Sequence, residues 1–322
     1  MAKLAPLMDY YYETMYPELK MLEEHRLHIL SKLKKSALIL GLLFGGICWI
    51  VIDTSFMEAT HAVAASTMSG GMMFLLFYRY EKRGYTSLFK DNVIEKIITF
   101  IDPTLRYQKE AFVSESEYRY SNLLPQTYDR FHGSDLVEGH REGVAVRFSS
   151  LHVEEKRHTK ENKDEWHTLF QGLFFVADFH KHFKGRTYLF PDVAERSLGG
   201  IGTWLQGWHR EHGKLIKLDH TAFEKQFVVY GDDTVEAHYI LNHAFMERIV
   251  SFYEKERKNL FIGFVDGKMY LAMEVSQTLF EPNLTQSVLT FTHIKSYFER
   301  LEMVFGIVEA FKLNQTLWSK YK

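Results

Sequence analysis

Two apolar stretches near the N-terminus constrain the fold of this chain most strongly. Residues 36–52 read SALILGLLFGGICWIVI, and residues 59–78 read ATHAVAASTMSGGMMFLLFY. The first stretch has 17 residues without a charge, and a helix of that length extends about 26 Å at about 1.5 Å per residue. The hydrocarbon core of a bilayer is about 30 Å thick. Because six residues separate the stretches, they predict a transmembrane helical hairpin.

Small residues recur along both stretches at helical spacing. They are Gly41, Gly45 and Gly46 in the first stretch and Ser66 and Gly70 in the second. Such rows let membrane helices approach closely, so these five positions are the predicted helix-packing residues. The alternative is that a stretch is a buried helix of a soluble protein. This alternative is stronger for the second stretch, because its polar side chains raise the free energy of insertion into lipid.

Basic residues flank the predicted hairpin on both sides, whereas the connection 53–58 has none. The flanking residues are Lys32, Lys34 and Lys35 before the hairpin and Arg79, Lys82 and Arg83 after it. Loops rich in Lys and Arg stay in the cytoplasm. We therefore expect a lipid bilayer as partner, two membrane-spanning helices, and both termini in the cytoplasm.

Composition excludes several classes of protein. The 322 residues have a formal charge of −2, so no overall basic field attracts nucleic acid. The single cysteine, Cys48, lies inside the first apolar stretch, which leaves neither a disulfide framework nor a thiolate metal site. No cofactor motif stands out, and we expect none.

The pattern after the hairpin predicts an α+β fold. We expect an N-terminal cytoplasmic helix over 1–35, the hairpin over 36–79, a helical connector over 80–125 and a cytoplasmic α+β domain over 126–322. Residues 8–35 lie along the membrane or pack on the domain, and the sequence does not decide between these.

The α+β domain is expected to contain a mixed, mainly antiparallel sheet packed with long helices. Asp266-Gly267 predicts a tight β-hairpin. The polar residues 153–164 predict a hairpin loop, 233–258 a single long helix and 286–313 a final helix.

Several segments in order resemble one protein family. Residues 231–249 (GDDTVEAHYILNHAFMERI) and 263–284 (GFVDGKMYLAMEVSQTLFEPNL) are similar to the bacterial domain of unknown function 3137 family. Segments 131–139, 148–154 and 169–192 agree with it. The resemblance implies a two-helix anchor in the bacterial inner membrane with a cytoplasmic α+β domain. It implies neither an activity nor catalytic residues.

Histidine pairs suggest a metal site. His180-x-His182 on a strand, or His209-x-x-His212 on a helix, would direct two rings to one face. Both pairs have basic neighbours, as solvated surface histidines do, and no carboxylate-spaced motif accompanies them. They remain weak candidates.

Two functional hypotheses follow from these residues. The leading one is a membrane-anchored binding or scaffolding module, with a protein partner at the membrane. The alternative is a membrane-tethered enzyme or metal-dependent sensor that uses the histidines and the acidic clusters at 135–138 or 232–236. Helix capping accounts more simply for the second cluster. The alternative requires Asp135, Glu138, His152, His180 and His182 to converge.

Overall fold

The structure is a computed structural model that describes residues 4–53, 59–158, 164–178, 183–192, 212–275 and 278–311. Of residues 4, 47–48, 50–53, 59–63 and 65–66 it describes the backbone alone. The chain divides into two compact units. We call Met1–Ile97 with Glu281–Tyr297 the helical unit, and Ile98–Phe280 with Phe298–Lys322 the sheet unit. The segment boundaries expected at residues 35, 79 and 125 stay predictions.

Long helices build most of the helical unit, as the sequence predicts. They are α1 (Leu4–Tyr10), a π-helical turn (Tyr11–Met15), α2 (Tyr16–Asp53), α3 (Ala59–Phe89), a second π-helical turn (Lys90–Ile94) and the first part of α4 (Glu95–Ile101). Helices α2 and α3 are antiparallel neighbours, joined by an ion pair of 3.2 Å between Lys32 Nζ and Glu81 Oε1. Within the described residues, no helix combines the length and the apolar character needed to span a membrane.

The N-terminal helices bury one face within the helical unit. Their buried apolar side chains recur every three or four residues, as one side of a helix requires; they begin Leu7, Tyr11, Met15, Leu19 and Leu22. The Tyr11 hydroxyl donates to the Leu289 carbonyl at 2.8 Å, and its ring lies edge-on to Phe291. Residues 8–35 therefore pack against segment Glu281–Tyr297.

The sheet unit is built on strands whose neighbours are all antiparallel in the described residues. The strands are β1 (Arg106–Gln108), β2 (Arg130–Arg141), β3 (Val144–His158), β4 (Asp164–Asp178), β5 (Arg186–Pro191), β6 (Lys214–Ile216), β7 (Phe227–Gly231), β8 (Leu260–Val265) and β9 (Lys268–Glu274). They lie in the order β1-β2-β3-β4-β9-β8-β5-β7-β6. The α+β class is confirmed. The expected parallel component is not found among the described strands; tight turns join β2 to β3 and β8 to β9, and such turns reverse the chain.

Both faces of the central strands are covered. The helices of this unit are α5 (Glu115–Ser121), α6 (Thr221–Glu224), α7 (Thr234–Ile240), α8 (His243–Glu256) and the later part of α9 (Phe291–Phe311). On one face Phe174 packs against Tyr118 of α5. On the other, Phe148 contacts both Phe175 and Phe305 of α9. Adjacent strand residues point to opposite faces of a sheet. Because both faces are covered, β4 has consecutive apolar residues rather than an alternating pattern.

The tight turn predicted at Asp266-Gly267 is present and joins β8 to β9. Both residues have positive φ, 47° and 77°, as a two-residue hairpin turn with the right twist requires.

Two local predictions are wrong. The single helix expected over 233–258 is divided into α7 and α8, because Asn242 caps α8 by accepting from Phe245 N at 3.0 Å. The loop expected over 153–164 is largely strand, with β3 continuing to His158 and β4 beginning at Asp164. Apart from the buried Val153, the described residues of this range are polar and at least partly exposed on both faces of the strands. His158 Nδ1 lies 2.6 Å from Asp164 Oδ1 across the strand pair.

Candidate functional site

Apolar side chains stand exposed along α2 and α3 within the stretches that predicted the hairpin. Among the described residues, nine large non-aromatic side chains in these stretches are between 51% and 77% exposed. They are Leu38, Ile39, Leu42 and Leu43 on α2 and Met68, Met72, Met73, Leu75 and Leu76 on α3. We call these nine residues the apolar band. Contiguous exposed apolar surface on this scale marks a contact with a membrane or a protein.

The predicted helix-packing residues occupy different surroundings. A Cβ at Gly70 would meet Leu40 Cδ2 at 3.8 Å, so α2 and α3 are close there. A Cβ at Gly41, Gly45 or Gly46 would have no neighbour within 4 Å, and these glycines face open space. The Ser66 side chain lies outside the described residues. The helices also enclose an apolar cleft of about 500 Å³ beside Gly70.

Of the four histidines predicted as weak metal ligands, the structure describes His212. His180, His182 and His209 lie outside the described residues. His212 is 2% exposed, and its Nε2 lies 2.7 Å from the Asn122 carbonyl oxygen. Because a carbonyl can only accept, Nε2 carries a proton and donates. The ring is also edge-on to Tyr188 at 4.7 Å. These contacts connect the start of β6 to the segment after α5; metal binding by these four residues stays a prediction.

The acidic residues of β2 serve the sheet. Asp135 is fully buried at a β-bulge with φ of 67°, and it accepts from the Tyr107 hydroxyl at 2.6 Å and the Ser134 hydroxyl at 2.8 Å. Glu138 is opposite Arg147 on β3. His152 Nε2 lies 3.2 Å from Thr168 Oγ1. Among the described residues, Asp135, Glu138 and His152 do not form a metal-sized cluster.

Within the second acidic cluster, Asp233 performs the expected capping. Asp233 is the N-cap of α7 and accepts from the amides of Val235 and Glu236 at 2.8 and 3.0 Å. Glu236 accepts in turn from Lys184 N and Gly185 N, at 3.2 Å each to the nearer oxygen. The carboxylates thus fix the start of the helix and the residues before β5.

One cluster in the sheet unit was not predicted from the sequence. His220, His243 and Glu247 each offer a donor atom, and the three atoms lie within 4.8 Å of one another. His243 and Glu247 are one turn apart on α8, with 3.6 Å between Nδ1 and Oε1, while His220 is the N-cap of α6. The sequence signal was His243-x-x-x-Glu247. His220 is 23 residues upstream of His243, so spacing alone did not reveal it.

Comparison with known proteins gives a family and a distant structural neighbour. Residues 168–313 match the family described as "Protein of unknown function (DUF3137)", while the similar segments 131–139 and 148–154 precede the match. A search of curated proteins gave no significant match.

Among solved structures, the crystal structure of the mycobacterial trehalose monomycolate transport factor A, TtfA, aligns with 10% identity and a TM-score of 0.35. The alignment covers 65% of this chain and 94% of that chain, but a TM-score of this size supports no conclusion about fold or function. The family match confirms the resemblance over the matched part: residues 168–313 are similar to the protein family of unknown function DUF3137.

Proposed function

We propose that this protein is a membrane-anchored binding module. The α2–α3 hairpin inserts into the bilayer, and the sheet unit works at the cytoplasmic surface, where it engages a protein partner. The observation that supports this most strongly is the apolar band, because it coincides with the two apolar stretches and lies between two basic flanks.

The size of the band favours lipid over water. Complete burial of one Leu, Ile or Met side chain contributes about 1.5–3 kcal/mol. The nine side chains are more than half exposed, so covering them with hydrocarbon contributes on the order of 10 kcal/mol.

Acidic residues and a histidine that were candidates for chemistry make structural hydrogen bonds instead, which favours binding over catalysis. Asp135, Asp233 and Glu236 accept hydrogen bonds that fix a bulge, a helix start and a strand entry. His212 donates to a backbone carbonyl. These residues hold the sheet unit in shape, which is what a rigid recognition surface requires.

Alkaline carbonate extraction of membranes from cells expressing the full chain tests the anchor. Wild-type protein is expected to stay in the pellet. A Leu42→Lys/Leu43→Lys double variant places two charges in the band at about 2.5–3.5 kcal/mol each, and it should move to the supernatant.

A matched control is Met21→Lys/Leu27→Lys. Met21 and Leu27 are 65% and 52% exposed on α2 but precede the apolar stretch, so this variant should stay in the pellet. Wild-type protein in the supernatant, or equal release of both double variants, would contradict the anchor.

A further inference from the structure

We propose that His220, His243 and Glu247 form a binding site for a divalent transition-metal ion of the Zn²⁺ class. This site belongs to the sheet unit and is independent of the membrane anchor. Two imidazole nitrogens and one carboxylate oxygen are a ligand set that Zn²⁺ accepts, and three protein ligands leave a fourth position for water or another ligand.

The geometry requires small movements. Zn²⁺ binds nitrogen and oxygen at about 2.0–2.2 Å, which in a tetrahedron places ligand atoms roughly 3.3–3.5 Å apart. His243 Nδ1 and Glu247 Oε1 already lie 3.6 Å apart, and all three donors are within 4.8 Å. The side chains of His243 and Glu247 are 69% and 61% exposed, so both can change rotamer without disturbing the core.

The backbone holds the two sides of the site together. His220 is fixed at the start of α6, where its carbonyl accepts from Phe223 N at 3.1 Å and Glu224 N at 3.0 Å. Its ring lies 4.6 Å from that of His243, centroid to centroid. The next strand, β7, contacts α8 through Phe227 and Tyr253, whose rings are 5.0 Å apart.

A polar atom of His220 points independently to a ligand. Nε2 of His220 is buried and has no hydrogen-bond partner among the described residues. Buried polar atoms are nearly always paired with protein, water or an ion. A metal ion between His220, His243 and Glu247 would provide that partner.

Metal binding through Nε2 of His220 requires the proton of the ring to move from Nε2 to Nδ1. Nδ1 accepts from Phe223 N at 3.2 Å, so the proton of the neutral ring sits on Nε2 in the metal-free protein. Coordination through Nε2 moves this proton to Nδ1, and the Phe223 contact to the ring is lost. Phe223 N keeps its bond to the His220 carbonyl.

The test is Zn²⁺ titration of the full chain, purified in detergent, against a chromophoric chelator. Co²⁺ is titrated in parallel, since its visible absorption distinguishes a four-coordinate protein site from the hexahydrate. We expect one site that weakens at least about tenfold, the lower end of what loss of even an outer-shell partner costs, in His243→Ala and Glu247→Gln. Both positions are exposed, and circular dichroism checks that the variants fold.

His238→Ala is the matched control, because His238 is an exposed histidine of the neighbouring helix α7. It should bind Zn²⁺ and Co²⁺ as the wild type does. A wild-type protein without a site, or a site that persists at full affinity in both cluster variants, would overturn the proposal.

Discussion

Replacing Arg26 by methionine removes half of a buried ion pair in the helical unit. Arg26 is 6% exposed and Glu23 is 8% exposed. The guanidinium donates to the Glu23 carboxylate at 2.9 and 2.6 Å and to the Leu284 carbonyl at 2.7 Å. Glu23 also accepts from Val288 N at 3.1 Å. The pair therefore joins α2 to segment Glu281–Tyr297.

The expected loss follows from what Arg26→Met leaves behind. Hydrogen bonds to charged groups contribute about 1.5–3 kcal/mol each, and breaking a buried ion pair from one side costs about 3–5 kcal/mol because the remaining charge is uncompensated. We therefore expect Arg26→Met to lower the free energy of unfolding by about 3–5 kcal/mol. In the full chain in detergent, it corresponds to a fall in Tm on the order of 10 °C.

A double variant tests whether the loss comes from the uncompensated charge. Arg26→Met/Glu23→Leu removes both charges and should be clearly more stable than Arg26→Met alone, since apolar replacements of buried pairs are often neutral. Glu81→Gln disrupts the more exposed Lys32–Glu81 pair and should cost at most about 1 kcal/mol. Thermal unfolding followed by circular dichroism measures all four proteins. Arg26→Met within 1 kcal/mol of the wild type would refute the reasoning.

The same pair sets a pH dependence. The hydrogen bonds from Arg26 hold the pKa of Glu23 below its usual value of 4.5. A lowered pKa in the folded state contributes stability at pH values above the unfolded pKa, and that stability is lost as pH falls through the folded pKa. This part of the acid destabilisation should be absent from Arg26→Met/Glu23→Leu.

Three further predictions concern the sheet unit. Gly172→Ala places a Cβ against the backbone of β9 and should lower the free energy of unfolding by about 3 kcal/mol or more. Gly306→Ala adds a Cβ in open space on α9 and should raise the free energy of unfolding by up to about 1 kcal/mol. Melting temperatures check both variants. Ser149→Ala removes the acceptor of the buried Val113 amide, 3.0 Å away, and should cost about 1–3 kcal/mol, seen as faster hydrogen exchange of that amide. Burial raises the pKa of Glu274, so its charge lowers stability at high pH, and Glu274→Gln should raise Tm at pH 8 by an amount that shrinks as pH falls.

The parts of the fold that local pattern determines were predictable. The Asp266-Gly267 turn has the backbone angles that those residues favour, and the apolar run containing Phe174 and Phe175 forms a strand buried on both faces. Asp233 caps a helix start, as one of the two hypotheses required.

Features that depend on distant residues were not predictable. Arg26 and Leu284 are 258 residues apart in sequence, so no local signal shows that the segment before α9 returns to α2. The break at Asn242 is a choice between continuing a helix and capping a new one, and helical periodicity is similar for both. His220 joins His243 because α6 and α8 meet in space, which residue spacing does not report.

The central claim is that the α2–α3 hairpin spans the membrane with both ends in the cytoplasm. The most direct measurement is labelling of single cysteines with a membrane-impermeant maleimide in intact cells, in a Cys48→Ser background. Ser55→Cys in the connection should react before lysis, and Ser251→Cys, exposed on α8, should react only after lysis. Reaction of Ser55→Cys from the cytoplasmic side alone, or of Ser251→Cys in intact cells, would contradict the account.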